Sequence, residues 1–419
     1  MKNSGIEWIE GLPDTWQEIP NRYLFIDHSK KVGEQWKDYQ LLSLTTSGVK
    51  EKDVNVSGGK VPDSYENYQT VEKGDMVFCL FDLDCSAVFS GLSNYNGMIT
   101  SAYDVFMPNH KYLDDLYADY WFQYVFSNRY YKMYSKNIRY TITGEMFKSV
   151  LTPIPSLEEQ RKIGAYLLEK DKQITNLIAN QEKQIEKLKE YKQSVITEAV
   201  TKGLDKSAPM KDSNLSWIIG KVPAHWAVVN PKALFSLRRE RAKEGERQLT
   251  ASQQYGVIYQ DDYMRLTGSR IVVVMKDFDI LKHVEKGDFV ISMRSFQGGL
   301  EYSENDGSIS SAYVMLKPNR KYVVDHFYKW LFKSSLYINA LQSTSDLIRD
   351  GQAMRYSNFT QLWLYQIPLK EQEQIASYLD KKCADIDKLI AIKQEKIEKL
   401  NEYKKSLIYE YVTGKKEVV

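Results

Sequence analysis

IEKLKEYKQSVITEAVT, residues 185–201, returns as IEKLNEYKKSLIYEYVT at residues 397–413. Each copy ends a long stretch without proline. Leu157–Val200 has none, and its one glycine is Gly164. Apolar residues recur in it at three- and four-residue steps: Ile163, Leu167, Ile174, Leu177, Ile178, Ile185, Leu188 and Val195. The second stretch matches with Ile375, Leu379, Ile386, Leu389, Ile390, Ile397, Leu400 and Leu407. Glutamate and lysine fill most of the other positions, so each stretch predicts a helix with one packing seam and a solvated remainder. About 44 helical residues span roughly 66 Å. Such a helix needs a partner for its seam, and its own duplicate is the obvious one. Either direction of packing is topologically open. An antiparallel pair would place the intervening domains at opposite ends. Ile174, Ile178, Ile185, Leu188 and Val195, with Ile386, Ile390, Ile397, Leu400 and Leu407, are the expected packing residues of this coiled coil.

Outward from the helices, the rest of the chain repeats too. WIEGLPDTW at 8–16 becomes WIIGKVPAHW at 217–226, and VEKGDMVFCLF at 71–81 becomes VEKGDFVISMR at 284–294. ITSAYDVFMPNHKY at 99–112 becomes ISSAYVMLKPNRKY at 309–322, and IPSLEEQRKIGAYL at 154–167 becomes IPLKEQEQIASYL at 367–379. The offset runs only from 209 (8 to 217) to 213 (71 to 284), so this is one long duplication. Lys73-Gly74-Asp75 and Lys286-Gly287-Asp288 precede β-prone apolar runs and read as turn-then-strand signals. Short apolar helices are expected near Asp114–Ser127 and Asp325–Ser334. Each globular part is therefore read as α+β and each is followed by a long helix. The boundaries are 1–155 and 204–368 for the globular domains, and 156–203 and 369–419 for the helices.

Composition fits a globular protein, with 43% hydrophobic and 27% charged residues. No apolar run reaches the roughly 20 residues that cross a bilayer, and the N-terminus lacks the apolar core of a signal peptide. Cys79, Cys85 and Cys383 form no CxxC pair, which suits a reducing cytoplasm. The formal net charge is only +2, short of the basic signature of an isolated nucleic-acid-binding domain. The 30 tyrosines suit strand cores and half-wet surfaces alike.

Two variable globular domains, each leading through an Ile-Pro…Glu-Gln start into a long helix, resemble the specificity subunits of Type I restriction–modification systems. The matching residues are Trp8-Ile9 to Trp16 and Trp217-Ile218 to Trp226, the two Lys-Gly-Asp turns, Ser101-Ala102-Tyr103 with Ser311-Ala312-Tyr313, and both helix starts. The resemblance covers nearly the whole chain. It implies that the globular parts are target recognition domains reading the two halves of a split site in double-stranded DNA. It implies that the helices pair as an antiparallel coiled coil, fix the spacing and dock modification (methyltransferase) subunits, two of them. Restriction subunits, the ATP-dependent translocases and nucleases, would complete the complex.

The chain shows no chemistry of its own. No Pro-Pro occurs, so the Asn/Asp-Pro-Pro-Tyr/Phe loop of amino-methyltransferases is missing. No GxGxxG and no GxxxxGK[ST] is present. The histidines, at 28, 110, 225, 283 and 326, are scattered, and structural or surface roles are expected for them. Hence no catalytic, cofactor or metal site is expected here; S-adenosylmethionine, ATP and Mg would belong to partner subunits. The alternative is a coiled-coil scaffold whose globular domains bind protein.

Phosphates call for Lys and Arg, and base edges for Arg, Asn, Gln, Ser or Thr. In the first domain Asn128–Lys148 is densest in such residues, and Lys136, Asn137, Arg139, Tyr140 and Thr141 form its most loop-like part. The second domain offers Arg349, Gln352, Arg355 and Tyr356 around Gly351, and Arg294, Ser295 and Gln297 after a strand. Arg238-Arg239-Glu240-Arg241-Ala242-Lys243 mixes signs and is either a phosphate-facing or an ordinary surface loop.

Overall fold

The computed structural model describes residues 1–52, 64–86, 89–135, 140–271, 280–292, 295–344 and 354–418. The chain divides into two units, Met1–Glu182 with Gln394–Val419, and Lys183–Lys393. The first contains a four-stranded antiparallel sheet in the order Phe25–Asp27, Asp104–Pro108, Met76–Phe78, Ser90–Leu92. The second has the same order in Phe235–Leu237, Val314–Pro318, Phe289–Ile291, Glu301–Tyr302.

The continuous apolar runs after the Lys-Gly-Asp turns make sense because these strands are covered on both faces. Met76 and Phe78 point into the main core, whereas Val77 packs with Leu42, Leu44 and Val49 of a hairpin. Phe289 and Ile291 likewise face one cluster and Val290 the other. The turn itself needs its glycine, since Gly74 and Gly287 sit at φ +99° and +97°. The following aspartate closes it: Glu72 N–H donates to Asp75 Oδ2 at 2.7 Å, and Glu285 N–H to Asp288 Oδ2 at 3.0 Å.

Helices Asp115–Ser127 and Asp325–Lys333 cover the main cores. Each globular part is closed by its own ends. Gln17–Pro20 pairs with Leu151–Ile154, and Ala227–Val229 with Leu364–Gln366, so the strand after the opening motif lies beside the strand that leads into the long helix.

The helix starts are built alike. Trp16 is buried and its Nε1–H donates to Glu159 Oε1 at 3.0 Å; Trp226 donates to Glu371 Oε1 at 3.2 Å. Gln160, fully buried, donates through Nε2 to Tyr112 O and Pro155 O at 2.8 and 3.0 Å, and accepts from Asp114 N–H at 2.8 Å. Gln372 repeats this with Tyr322 O, Ile367 O and Val324 N–H. One side chain thus satisfies three backbone groups where domain and helix meet.

The long helices are Leu157–Lys202 and Leu369–Val412. Within the first unit Asp171 pairs with Lys404 and Tyr166 packs on Tyr411. Within the second, Lys192 pairs with Asp387 at 2.7 Å, and Gln184 accepts from Lys393. As one number rises the other falls, so the segments run antiparallel inside each unit. Among the described residues no helix is long and apolar enough to cross a membrane.

Candidate nucleic-acid interface

In the first unit the candidate loop follows Asp115–Ser127 through a 3-10 turn, Tyr130–Tyr134, and ends at the short helix Gly144–Ser149. Lys136, Asn137 and Arg139 lie outside the described residues. Tyr140 is half-buried at φ +46°; its carbonyl accepts from Leu83 N–H at 3.2 Å, and Lys132 Nζ stands 3.9 Å from its ring centre. Thr141 O accepts from Ser135 Oγ at 3.1 Å. Arg129 is exposed, with its guanidinium donating to Leu83 O at 2.9 Å. Lys148 is engaged elsewhere. It pairs with Asp27 at 2.8 Å and Glu145 at 3.3 Å, and the Asp27 hydrogen bond pushes its ammonium above the usual lysine range.

The second unit places its loop at the equivalent position, before helix Tyr356–Gln361. Arg349 and Gln352 lie outside the described residues. Arg355 is exposed, and its N–H donates to Asn358 Oδ1 at 3.0 Å. Asn358 in turn donates to Thr344 O at 2.8 Å, tying residue 344 to the helix start. Tyr356 turns inward: it stacks near Phe359, and burial raises its phenol. Of the strand-end candidates, Arg294 lies outside the described residues and Gln297 is exposed. Ser295 is buried; its Oγ accepts from Ser292 N–H at 2.8 Å, so its hydroxyl is spent inside the turn.

Arg238, from the mixed-sign cluster, cannot face phosphate. Its side chain is 2% exposed and holds Asp288 at 2.5 Å, Glu285 at 2.6 Å and Glu240 at 3.0 Å. Burial works against the cation, but Asp288 and its neighbours outweigh that and raise the guanidinium further. Arg239 and Arg241 remain exposed.

The expected seam residues of the long helices are inside or half inside. Ile174, Ile185, Val195, Ile386 and Leu407 are buried, and Ile178, Leu188, Ile390, Ile397 and Leu400 are half-buried. Leu177 and Leu389 are not in the seam, being 45% and 48% exposed. Each is one residue before a seam isoleucine and so about 100° around the helix from it.

The MjaX type I restriction enzyme specificity subunit of Methanocaldococcus jannaschii is 26% identical over 324 residues, covering 74% of this chain and 69% of that protein. The MjaVIII specificity subunit of the same organism is 27% identical over 169 residues, 40% of this chain and 37% of that protein. A chain from a structure on complex assembly and conformational transition of the type I R-M system matches with TM-score 0.69 at 13% identity, covering 96% of this chain and 99% of that one. The HsdS subunit from Thermoanaerobacter tengcongensis matches with TM-score 0.52, also at 13% identity, covering 96% and 98%. No family model matches the chain.

The chain is similar to type I specificity subunits in sequence and fold.

Two features of the structure go beyond the sequence expectations. The Glu-Gln pairs at the helix starts join helix to domain, and their recurrence at 159–160 and 371–372 is the signal for it in the sequence. His283, expected in a structural or surface role, has ligand atoms of Glu240 and Glu285 within 4.8 Å of its own and of each other.

Proposed function

We propose that this chain is the non-catalytic specificity subunit of a type I restriction–modification enzyme, binding a bipartite site in double-stranded DNA and directing methyltransferase and restriction subunits to it. The observation that carries the reading is the pair of units with one sheet order and one helix joint, but different residues in the equivalent candidate loops. Conserving the frame while changing the reading residues is what two half-site readers in one chain require. Arg355, with Arg349 and Gln352, would read one half-site, and Lys136, Asn137 and Arg139 with Tyr140 and Thr141 the other. The antiparallel helices would act as the spacer.

Exposed apolar residues on both helices support docking of two like partners. Leu177 and Leu389, and Tyr191 and Tyr403, occupy equivalent places and are about half exposed. A repeated patch on a repeated helix suits two copies of one modification subunit. Methylation, ATP hydrolysis and their cofactors would reside on those partners.

Co-expression with a methyltransferase subunit followed by methylome sequencing tests the proposal. One split adenine-methylation motif should be gained; no gained motif refutes it. Binding to duplex DNA should also weaken steeply with salt, as phosphate contacts demand, whereas a protein-binding scaffold would show no such binding.

A further inference from the structure

The second unit holds a side-chain cluster with no counterpart among the described residues of the first. His283, in strand Lys282–Val284, is 3% exposed and has a carboxylate at each ring nitrogen. Glu246 Oε1 is 2.6 Å from Nδ1, and Glu285 Oε1 is 3.4 Å from Nε2. Neither nitrogen finds an aligned hydrogen-bond partner. The buried ring thus faces carboxylate oxygens on both sides without an aligned hydrogen bond to either, which leaves Nε2 and Glu285 Oε1 placed as neighbouring donor atoms around a cation.

Glu240 completes a ligand set. One donor atom from each of Glu240, His283 and Glu285 lies within 4.8 Å of the others, close enough for small side-chain rotations to bring all three to ~2.1 Å from one ion. The outer groups are arranged to hold these ligands. Arg238 Nη1 donates to Glu240 Oε1 and Nη2 to Glu285 Oε2, leaving the second oxygen of each carboxylate available. Glu246 on Nδ1 is the carboxylate that metal-bound histidines commonly use to fix their tautomer. Three carboxylates, Glu240, Glu285 and Asp288, pair with one guanidinium, and Glu246 adds a fourth beside His283, so the cluster has room for a divalent charge.

The first unit supplies an internal control. Thr70 N–H donates to Lys30 O at 2.8 Å, as His283 N–H donates to Glu240 O at 3.0 Å, so the positions correspond. Lys30 and Thr70 thus stand where the second unit has Glu240 and His283, and Lys30 would repel an ion.

We propose that Glu240, His283 and Glu285 bind one divalent transition-metal ion, pinning the segment that carries Arg239 and Arg241 to the adjacent strand. One imidazole with two carboxylates suits Zn²⁺ and its first-row neighbours better than Mg²⁺ or Ca²⁺, which favour all-oxygen shells.

The test is calorimetric titration of Zn²⁺ into the tag-free, chelator-stripped full chain, with Co²⁺ absorption as a second readout. One ion per chain is expected. Affinity should fall at least tenfold in His283→Ala and in Glu240→Lys. The latter installs the first unit's residue at an exposed position, and circular dichroism checks that it stays folded. Absence of saturable binding to the parent chain overturns the proposal, and so does unchanged affinity in folded Glu240→Lys.

Discussion

Replacing Gln160 with alanine removes one side chain and strands three backbone groups. The Tyr112 and Pro155 carbonyls lose their donor, and the Asp114 N–H loses its acceptor. Gln160 is fully buried, so solvent does not reach these groups directly. Leaving a buried polar group unpaired costs ~1–3 kcal/mol. Three such groups add to ~3–9 kcal/mol, and a water entering the vacated space would recover part of it. We expect a loss of about 3–5 kcal/mol. The assay is urea unfolding by tryptophan fluorescence, with native-state hydrogen exchange to localise the loss. Each unit has its own hydrophobic clusters, so Gln160→Ala should lower protection in Met1–Glu182 and spare Lys183–Lys393. Gln372→Ala should do the reverse. Gln160→Glu keeps the shape and the acceptor but sets an oxygen against two carbonyls, so it should cost at least as much as alanine. A loss below about 1 kcal/mol for Gln160→Ala, or one shared equally by both units, would refute the reasoning.

Arg238→Ala should destabilise the second unit by about 3–5 kcal/mol, because Asp288 stays buried without its cation. Arg238→His, which copies His28 of the first unit, should recover part of that in the same unfolding assay. Burial pushes Asp119 up to about 6. A raised folded value means its contribution is whole below about pH 4 and is lost as pH rises through 6. The cost at neutral pH is on the order of 3 kcal/mol. Asp119→Asn should therefore be more stable than the parent at pH 7.5 and flatten the pH dependence of Tm between 4 and 6; parallel curves would count against this. Arg355→Ala should leave Tm unchanged yet weaken binding to the recognised site by roughly 5- to 100-fold, the worth of one base-edge contact, with the loss confined to one half-site in competition binding.

Much of the frame was legible in the linear chain because its signals are local or repeated. Proline-free stretches with three- and four-residue apolar steps specify helices, and Ile174, Ile185 and Leu407 do lie inside. Leu177 and Leu389 were equally apolar in the sequence, but a helix turns its neighbours about 100° apart and one seam cannot take them all. Ser295 reads as groove-facing in the sequence, and Arg238 as phosphate-facing or an ordinary surface residue, yet both are buried: composition records a donor, whereas packing decides where it is spent.

By itself, the sequence determined the duplication, the α+β character of each globular part and the two long helices, since these rest on backbone periodicity and on recurrence. Tertiary structure alone decided which polar side chains work inside the protein. Gln160 meets Tyr112 across 48 residues, and Arg238 meets Asp288 across 50. His283 joins Glu240 and Glu246 because the chain near Arg241 bridges to Lys282. Side-chain partnerships over such separations depend on how distant strands pair, and no local pattern encodes that.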